Sequence, residues 1–288
     1  MSDIHNPGSG QPQIPDHELL RKIGEGSFGE VWIARSRATG RHRAVKLIRR
    51  SKFQDSRPFE VEFAGVRKFE EVSRQHEGFV DILHIRRDDE EGYFAYVMEL
   101  ADDAGGANPI DPESYAPRTL AAELQRTGRL TPSECVRVSL DLTAALGELH
   151  RRSLVHRDIK PTNIVFVRGA PKLADIGLVT EIRSDEAVAE HPTFTGTPDF
   201  IDPRVHGTAR GDLFSFGKVL YQIATGLHPR DFPSLPEGVR SIAEPEVFWE
   251  LNRIFSKACD RDPAMRFRNA EEIHQELKLL NAGTWVIR

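Results

Sequence analysis

His156-Arg157-Asp158-Ile159-Lys160-Pro161-Thr162-Asn163 is a run of charged and polar residues, and Asp175-Ile176-Gly177 follows shortly after it. Two carboxylates, an amide and a lysine thus fall within about one strand–turn–strand of each other. That set suits phosphoryl transfer from a magnesium nucleotide. Asp158 can take the proton of an incoming hydroxyl, Asn163 and Asp175 can hold hard cations through oxygen, and Lys160 can neutralise charge on the group in transit. The competing reading is a charged surface loop, which other parts of the chain must decide against.

The 288 residues suffice for one large domain or two lobes with separate cores. Hydrophobic residues make up 39% and charged residues 29%, as in an ordinary globular protein, and the net charge of −5 argues against nucleic-acid binding. Cys135 and Cys259 lie far apart in helical apolar patterns, so buried free thiols are expected rather than a disulfide or a metal site. No apolar run is long enough for a membrane helix and Met1 opens a polar stretch, so the expectation is a cytoplasmic protein without a membrane partner. Residues 1–16, rich in Pro, Gly, Ser and Gln, read as a flexible tail, and 282–288 as a second, short tail.

Leu19, Leu20 and Ile23 lead into Gly24-Glu25-Gly26-Ser27-Phe28-Gly29-Glu30-Val31, and Trp32-Ile33-Ala34 continues a second strand. Glycines in such a turn let backbone N–H groups close over phosphates; a plain tight hairpin is the alternative. Arg43-Ala44-Val45-Lys46-Leu47-Ile48 follows at about one hairpin's length, so Lys46 can reach phosphates from the neighbouring strand. Residues 57–74 carry Phe59, Phe63, Val66 and Phe69 at helical spacing, with Glu60, Glu62, Glu70 and Glu71 as acids on offer. Residues 79–85 and 93–100 read as a hairpin. Asp102 to Pro117 is rich in Gly, Pro and Asp, and Thr131-Pro132-Ser133-Glu134 starts a core helix with a capping box. Helices are expected near 246–259 and 270–280, with Trp249, Leu251, Phe255, Ile273 and Leu277 in the core.

These motifs, in this order, resemble the eukaryotic-like (Hanks-type) protein kinase family in its Ser/Thr branch. The family's H-R-D-x-x-x-x-N appears without mismatch, D-F-G as D-I-G and G-x-G-x-x-G-x-V at Gly24–Val31, and Arg43-Ala44-Val45-Lys46 resembles its V-A-I-K strand. The resemblance implies an α+β, bilobal fold: a protein kinase domain over 17–281, with a β-rich N-lobe over about 17–100 and a mostly helical C-lobe over about 101–281. It implies ATP and Mg2+ as cofactors and a protein with a Ser/Thr acceptor as substrate. Asp158 and Lys160 would be catalytic, and Asn163 and Asp175 would bind metal. Ile23, Gly24, Glu25, Gly26, Ser27, Phe28, Gly29, Val31, Ala44, Lys46 and Val165 would contact ATP, with Met98 behind the adenine and the backbone of Glu99 to Ala101 along its edge. Glu62 would hold Lys46, with Glu60 as runner-up. Asp102 or Asp103 could meet the ribose, although a solvated loop is the better reading.

Residues 175–204 would form the activation segment, with Thr193 and Thr195 as candidate phosphosites and Gly196-Thr197-Pro198 as the family's G-T-P element. Asp212 would hold the backbone of the His156 loop. One motif departs from the pattern: Asp202-Pro203-Arg204 stands where the family has A-P-E, which sets Arg204 against the buried arginine expected at Arg266. A compensating carboxylate, Asp202 or Asp199, is expected, because an unpaired buried charge costs several kcal/mol. The competing readings are a module that keeps the fold without transfer, and a small-molecule phosphotransferase, against which Lys160 and Gly196-Thr197 argue.

Overall fold

Strands His17–Gly26 (β1), Gly29–Ser36 (β2) and His42–Arg49 (β3) pair antiparallel, and β3 is buried over five successive residues. The computed structural model describes residues 12–26, 29–175, 180–181 and 197–283. Strands Ile82–Asp88 (β4) and Tyr93–Met98 (β5) complete a five-stranded sheet in the order β1-β2-β3-β5-β4. Its two faces go to different partners. Ala34, Val45, Leu47, Ala95 and Val97 pack on one side together with Ile14. Ile48, Phe94 and Tyr96 turn to the other side, toward helix Ser56–Ser73 (α1).

Asp55 caps α1 by accepting from the Arg57 N–H at 3.2 Å. Phe59 and Phe63 then stack on Phe94 at centroid distances of 5.1 and 5.2 Å, and Phe69 meets Phe79 at 5.1 Å. The tail expected through residue 16 meets the sheet sooner: Ile14 is buried, and the Tyr93 hydroxyl donates to the Gln13 carbonyl at 3.1 Å. A single apolar residue among prolines leaves no periodicity to read.

The rest of the chain is mostly helical. Thr131 and Glu134 form the expected capping box at the start of Pro132–Arg151 (α3), which buries Val138, Leu142, Ala145 and Leu149. Helix Leu120–Thr127 (α2) precedes it. Helices Ala209–Thr225 (α4), Pro245–Ala258 (α5) and Ala270–Asn281 (α6) follow. Gly217 lets α4 lie close to α5, since a Cβ there would stand 2.7 Å from both Ala258 Cβ and Cys259 Sγ. Between α3 and α4 run the short strand Leu154–Val155 (β6) and the hairpin Ile164–Val167 (β7) with Ala170–Leu173 (β8). Thr180–Glu181 (β9) pairs with β6. Both cysteines are buried and free, and no described helix is long and apolar enough to cross a membrane.

Trp249 corrects the expected core: it is 46% exposed, whereas Phe248, Leu251, Phe255 and Ala258 carry the buried stripe of α5. One position off that stripe rotates a side chain by about 100°, which puts the indole at the rim. Truncating Phe255 to Ala should therefore cost about 3–5 kcal/mol of unfolding free energy, and Trp249→Ala less than about 1 kcal/mol, both read by denaturant titration. Equal losses would contradict this placement.

Candidate active site

The His156 loop is held from below by a buried carboxylate. Asp212, in the first turn of α4, accepts from the backbone N–H groups of His156 and Arg157, each at 2.8 Å, and meets His150 Nε2 at 2.9 Å. Burial pushes the Asp212 carboxyl up, but these hydrogen bonds and the histidine charges outweigh it and hold the group below its ordinary value. The two backbone bonds flank His156 and lead into Arg157, a non-glycine residue at φ 71°. Ile159 is buried behind the loop, so Asp158 and Lys160 emerge on its other side.

There Asp158, Lys160, Asn163 and Thr197 form one network. Lys160 Nζ lies 2.7 Å from Asp158 Oδ2 and donates to Thr197 Oγ1 at 2.8 Å, and that hydroxyl donates to Asp158 Oδ1 at 3.3 Å. Asn163 Nδ2 donates to the Asp158 carbonyl and to its Oδ2 at 2.8 and 2.9 Å. With the amide nitrogen so engaged, Asn163 Oδ1 is left to face outward and takes only a 3.5 Å bond from Thr162.

Above the loop a cleft of about 520 Å³ separates sheet from helices. Ile23, Gly24, Glu25, Gly26, Gly29, Val31, Ala44, Lys46, Met98, Glu99, Ala101, Lys160, Asn163, Val165 and Asp175 all line it. Ser27, Phe28, Ile176, Gly177, Thr193, Thr195 and Gly196 lie outside the described residues.

The expected Lys46–Glu62 ion pair is not made. Lys46 Nζ pairs instead with Asp175 Oδ1, and Glu62 Oε1, buried, has no hydrogen-bond partner. Burial opposes the Lys46 charge, but Asp175 prevails and raises its pKa. Burial pushes the Glu62 carboxyl up to about 8, only partly offset by Lys46, so the acid stays neutral and does not compete for the amine. Glu62 still faces this cluster, whereas the alternative Glu60 turns outward to Arg87, with bonds of 2.7 and 2.8 Å. Tyr96, opposite Lys46 in the β3–β5 ladder, adds a buried hydroxyl on the same face. Its contribution leaves no motif in the sequence.

Asp102 and Asp103 serve the backbone. Asp102 accepts from the N–H groups of Arg168 and Gly169 at 2.8 Å each, and Asp103 from those of Ala107 and Ala116 at 3.1 and 3.0 Å. The segment they brace brings Tyr115, Pro117 and Thr119 to the cleft. Sequence reading missed all three, because no local pattern shows where a long connection returns.

Asp202 is the carboxylate that reconciles Arg204 with Arg266. It receives Arg204 Nε at 2.9 Å and Nη2 at 2.7 Å, together with Arg266 Nη2. Asp199, the other candidate, instead pairs with Arg230. Burial raises the Asp202 carboxyl, yet the two guanidinium groups outweigh it and bring it to about 2. An unfolded Asp titrates near about 3.9, so Asp202 contributes its full stability above about pH 4 and loses it as pH falls through about 2. Asp202→Asn should cost about 3–5 kcal/mol near neutral pH, because Arg266 stays buried without its anion. In denaturant titrations the gap between wild type and variant should shrink between about pH 4 and pH 2; a constant gap would contradict the assignment.

The donors fit a small divalent cation. Asn163 Oδ1 and the Asp175 carboxylate are hard oxygen ligands at the cleft, and no cluster of three His, Cys, Asp or Glu among the described residues forms a protein-only metal cage. Magnesium typically takes one or two carboxylates and completes its shell with phosphate and water.

Residues 17–279 match the protein kinase domain family. The chain is 27% identical over 281 residues to a probable serine/threonine-protein kinase of Clostridium perfringens, covering 91% of this chain and 38% of that protein. It is 28% identical to one of Streptomyces coelicolor (91% and 39%) and 26% identical to the serine/threonine-protein kinase PrkC of Bacillus subtilis (91% and 40%). The chain thus spans well under half the length of these relatives. With its five-stranded antiparallel sheet, its helical second part and its match over 17–279, the chain belongs to the protein kinase domain family.

Proposed function

We propose that the chain is an ATP- and magnesium-dependent protein serine/threonine kinase, transferring the γ-phosphoryl group to a protein hydroxyl. The observation that carries this reading is the contact of Thr197 Oγ1 with both Lys160 and Asp158. A hydroxyl already sits where an acceptor hydroxyl would need both a base and a cation. An incoming Ser or Thr would replace that contact, giving its proton to the Asp158 carboxylate as its oxygen attacks the γ-phosphorus and the bond from that phosphorus to the β–γ bridging oxygen breaks, releasing ADP. Lys160 Nζ would meet the negative charge of the transferring group, and the Asn163 amide keeps the Asp158 carboxylate oriented throughout.

Magnesium, when bound, neutralises the phosphate oxygens, and Asn163 Oδ1 with the Asp175 carboxylate would hold it. Nucleotide binding then requires an exchange. Lys46 leaves Asp175 for the phosphates, and Glu62, now beside an amine without its earlier anion, ionises and takes its place. The buried Glu62 already faces Lys46, so the exchange needs no new residue.

The Lys46–Asp175 pair also favours a second reading, a binding module whose metal carboxylate stays occupied. Incubation with labelled ATP and magnesium separates the two. Wild type should incorporate phosphate on Ser or Thr, and Asp158→Asn should slow transfer by about 10²–10⁴-fold with magnesium-nucleotide affinity kept within about threefold. A wild type that binds nucleotide but transfers to neither itself nor a Ser/Thr peptide would favour the module. An Asp158→Asn variant at full rate would remove Asp158 from its role.

A further inference from the structure

The connection between β5 and α2 crosses the open side of the cleft and is fastened at both ends. Arg21 on β1 reaches across to it, Nε donating to the Pro112 carbonyl at 2.8 Å and Nη2 to that of Tyr115. Tyr115 is 3% exposed, and its hydroxyl donates to the carbonyl of Ala101 at 3.1 Å. An arginine fork on two carbonyls of one turn, three residues apart, fixes both its distance and its tilt. The segment is further closed by the Asp103–Pro117 bridge and by the Asp102 and Asp103 carboxylates on backbone N–H groups.

The side chains that brace this wall serve the backbone. Thr119 Oγ1 accepts from the Ala122 N–H at 3.0 Å as the cap of α2. Of the carboxylates lining the described cleft, Glu25 pairs with Lys22 and Glu99 with Lys172 at 2.6 Å, while Asp175 stands at the phosphate end with Lys46. A nucleotide whose phosphates lie at Lys46 and Lys160, with its base along the 99–101 backbone, presents its sugar between them to Tyr115, Pro117 and Thr119. The sugar hydroxyls meet a surface that limits size and offers no carboxylate of its own.

We infer that the 102–117 segment is the specificity-determining outer wall of the cleft, selecting nucleotides by bulk at the sugar rather than by its 2′-hydroxyl, with Arg21 as the positioning residue that holds it. The inference rests on the nucleotide reading of the cleft. Because Arg21 joins β1 to the connection, removing it frees the wall to swing outward while the phosphate-binding groups stay in place.

The test measures Kd for the magnesium complexes of ATP, 2′-deoxy-ATP and ATP carrying an N-methylanthraniloyl group on its 2′/3′ oxygens. Wild type should bind ATP and 2′-deoxy-ATP within about threefold of each other and the anthraniloyl nucleotide at least about tenfold more weakly. In Arg21→Ala the anthraniloyl-to-ATP ratio should fall by about fivefold or more, a change that a general loss of stability would not produce, since both Kd values would then rise together. Tyr115→Val keeps the backbone carbonyls that Arg21 binds and trims the wall itself, so it should lower the same ratio if Arg21→Ala fails to fold. A ratio unchanged in a folded variant, or a wild type that rejects 2′-deoxy-ATP by more than about tenfold, overturns the inference. If wild type binds none of the three, the nucleotide reading itself fails and the wall has no role to test.

Discussion

Asp212 is the constraint on which the site depends. One carboxylate, 1% exposed, takes the two successive N–H groups of His156 and Arg157 and holds His150 beside them. A buried acid with fewer partners would protonate. With three it stays ionised, and it fixes a turn in which Arg157 adopts a positive φ that an arginine would not choose alone. The direction of Asp158, and through Asn163 and Lys160 the spacing of the whole network, follows from that turn. Because Asp212 stands in the first turn of α4, the loop is tied to the helical core, where Leu213, Phe216 and Leu220 are buried.

Elsewhere the same principle is used with a different balance. Asp202 sits between two arginines and is held far below its ordinary pKa, which makes Arg204 a tolerated departure from the family pattern rather than a defect. At Lys46 two acids face one amine: burial raises both carboxyls, Asp175 makes the contact and is held below its ordinary pKa, and Glu62, without that contact, is left raised. Phosphates and a cation would change those relative costs, since they supply a new anion for Lys46 and a new cation for Asp175. On the proposed function the pair is an arrangement that ligands would reverse, which a purely apolar contact would not be.

Much of this was legible in the chain because chemistry restricts residue types more tightly than packing does. Lys160, Asn163, Lys46 and the glycine turn line one cleft, and Asp158 contacts Lys160 and Asn163 beside it. The capping box at Thr131 was equally plain, since its partners are three residues apart. Trp249 was misplaced because a one-position offset on a helix decides exposure and neighbouring apolar residues blur the stripe. Which acid pairs with Lys46, and which of Asp199 and Asp202 meets Arg266, turn on burial that only the folded chain defines. Tyr115 and Pro117 were invisible because a contact across 94 positions, from Arg21 to Tyr115, puts them in place.

The most direct measurement is on Asp212→Asn. An amide can accept from only one of the two N–H groups and turns a donor toward the other. If the carboxylate presets the loop, amide hydrogen exchange at His156 and Arg157 should speed by at least about tenfold, against little change in α6, and the phosphoryl transfer proposed for wild type should fall with it. Unchanged exchange at those two amides, with transfer intact, would show that the loop holds its shape without Asp212 and would contradict the account.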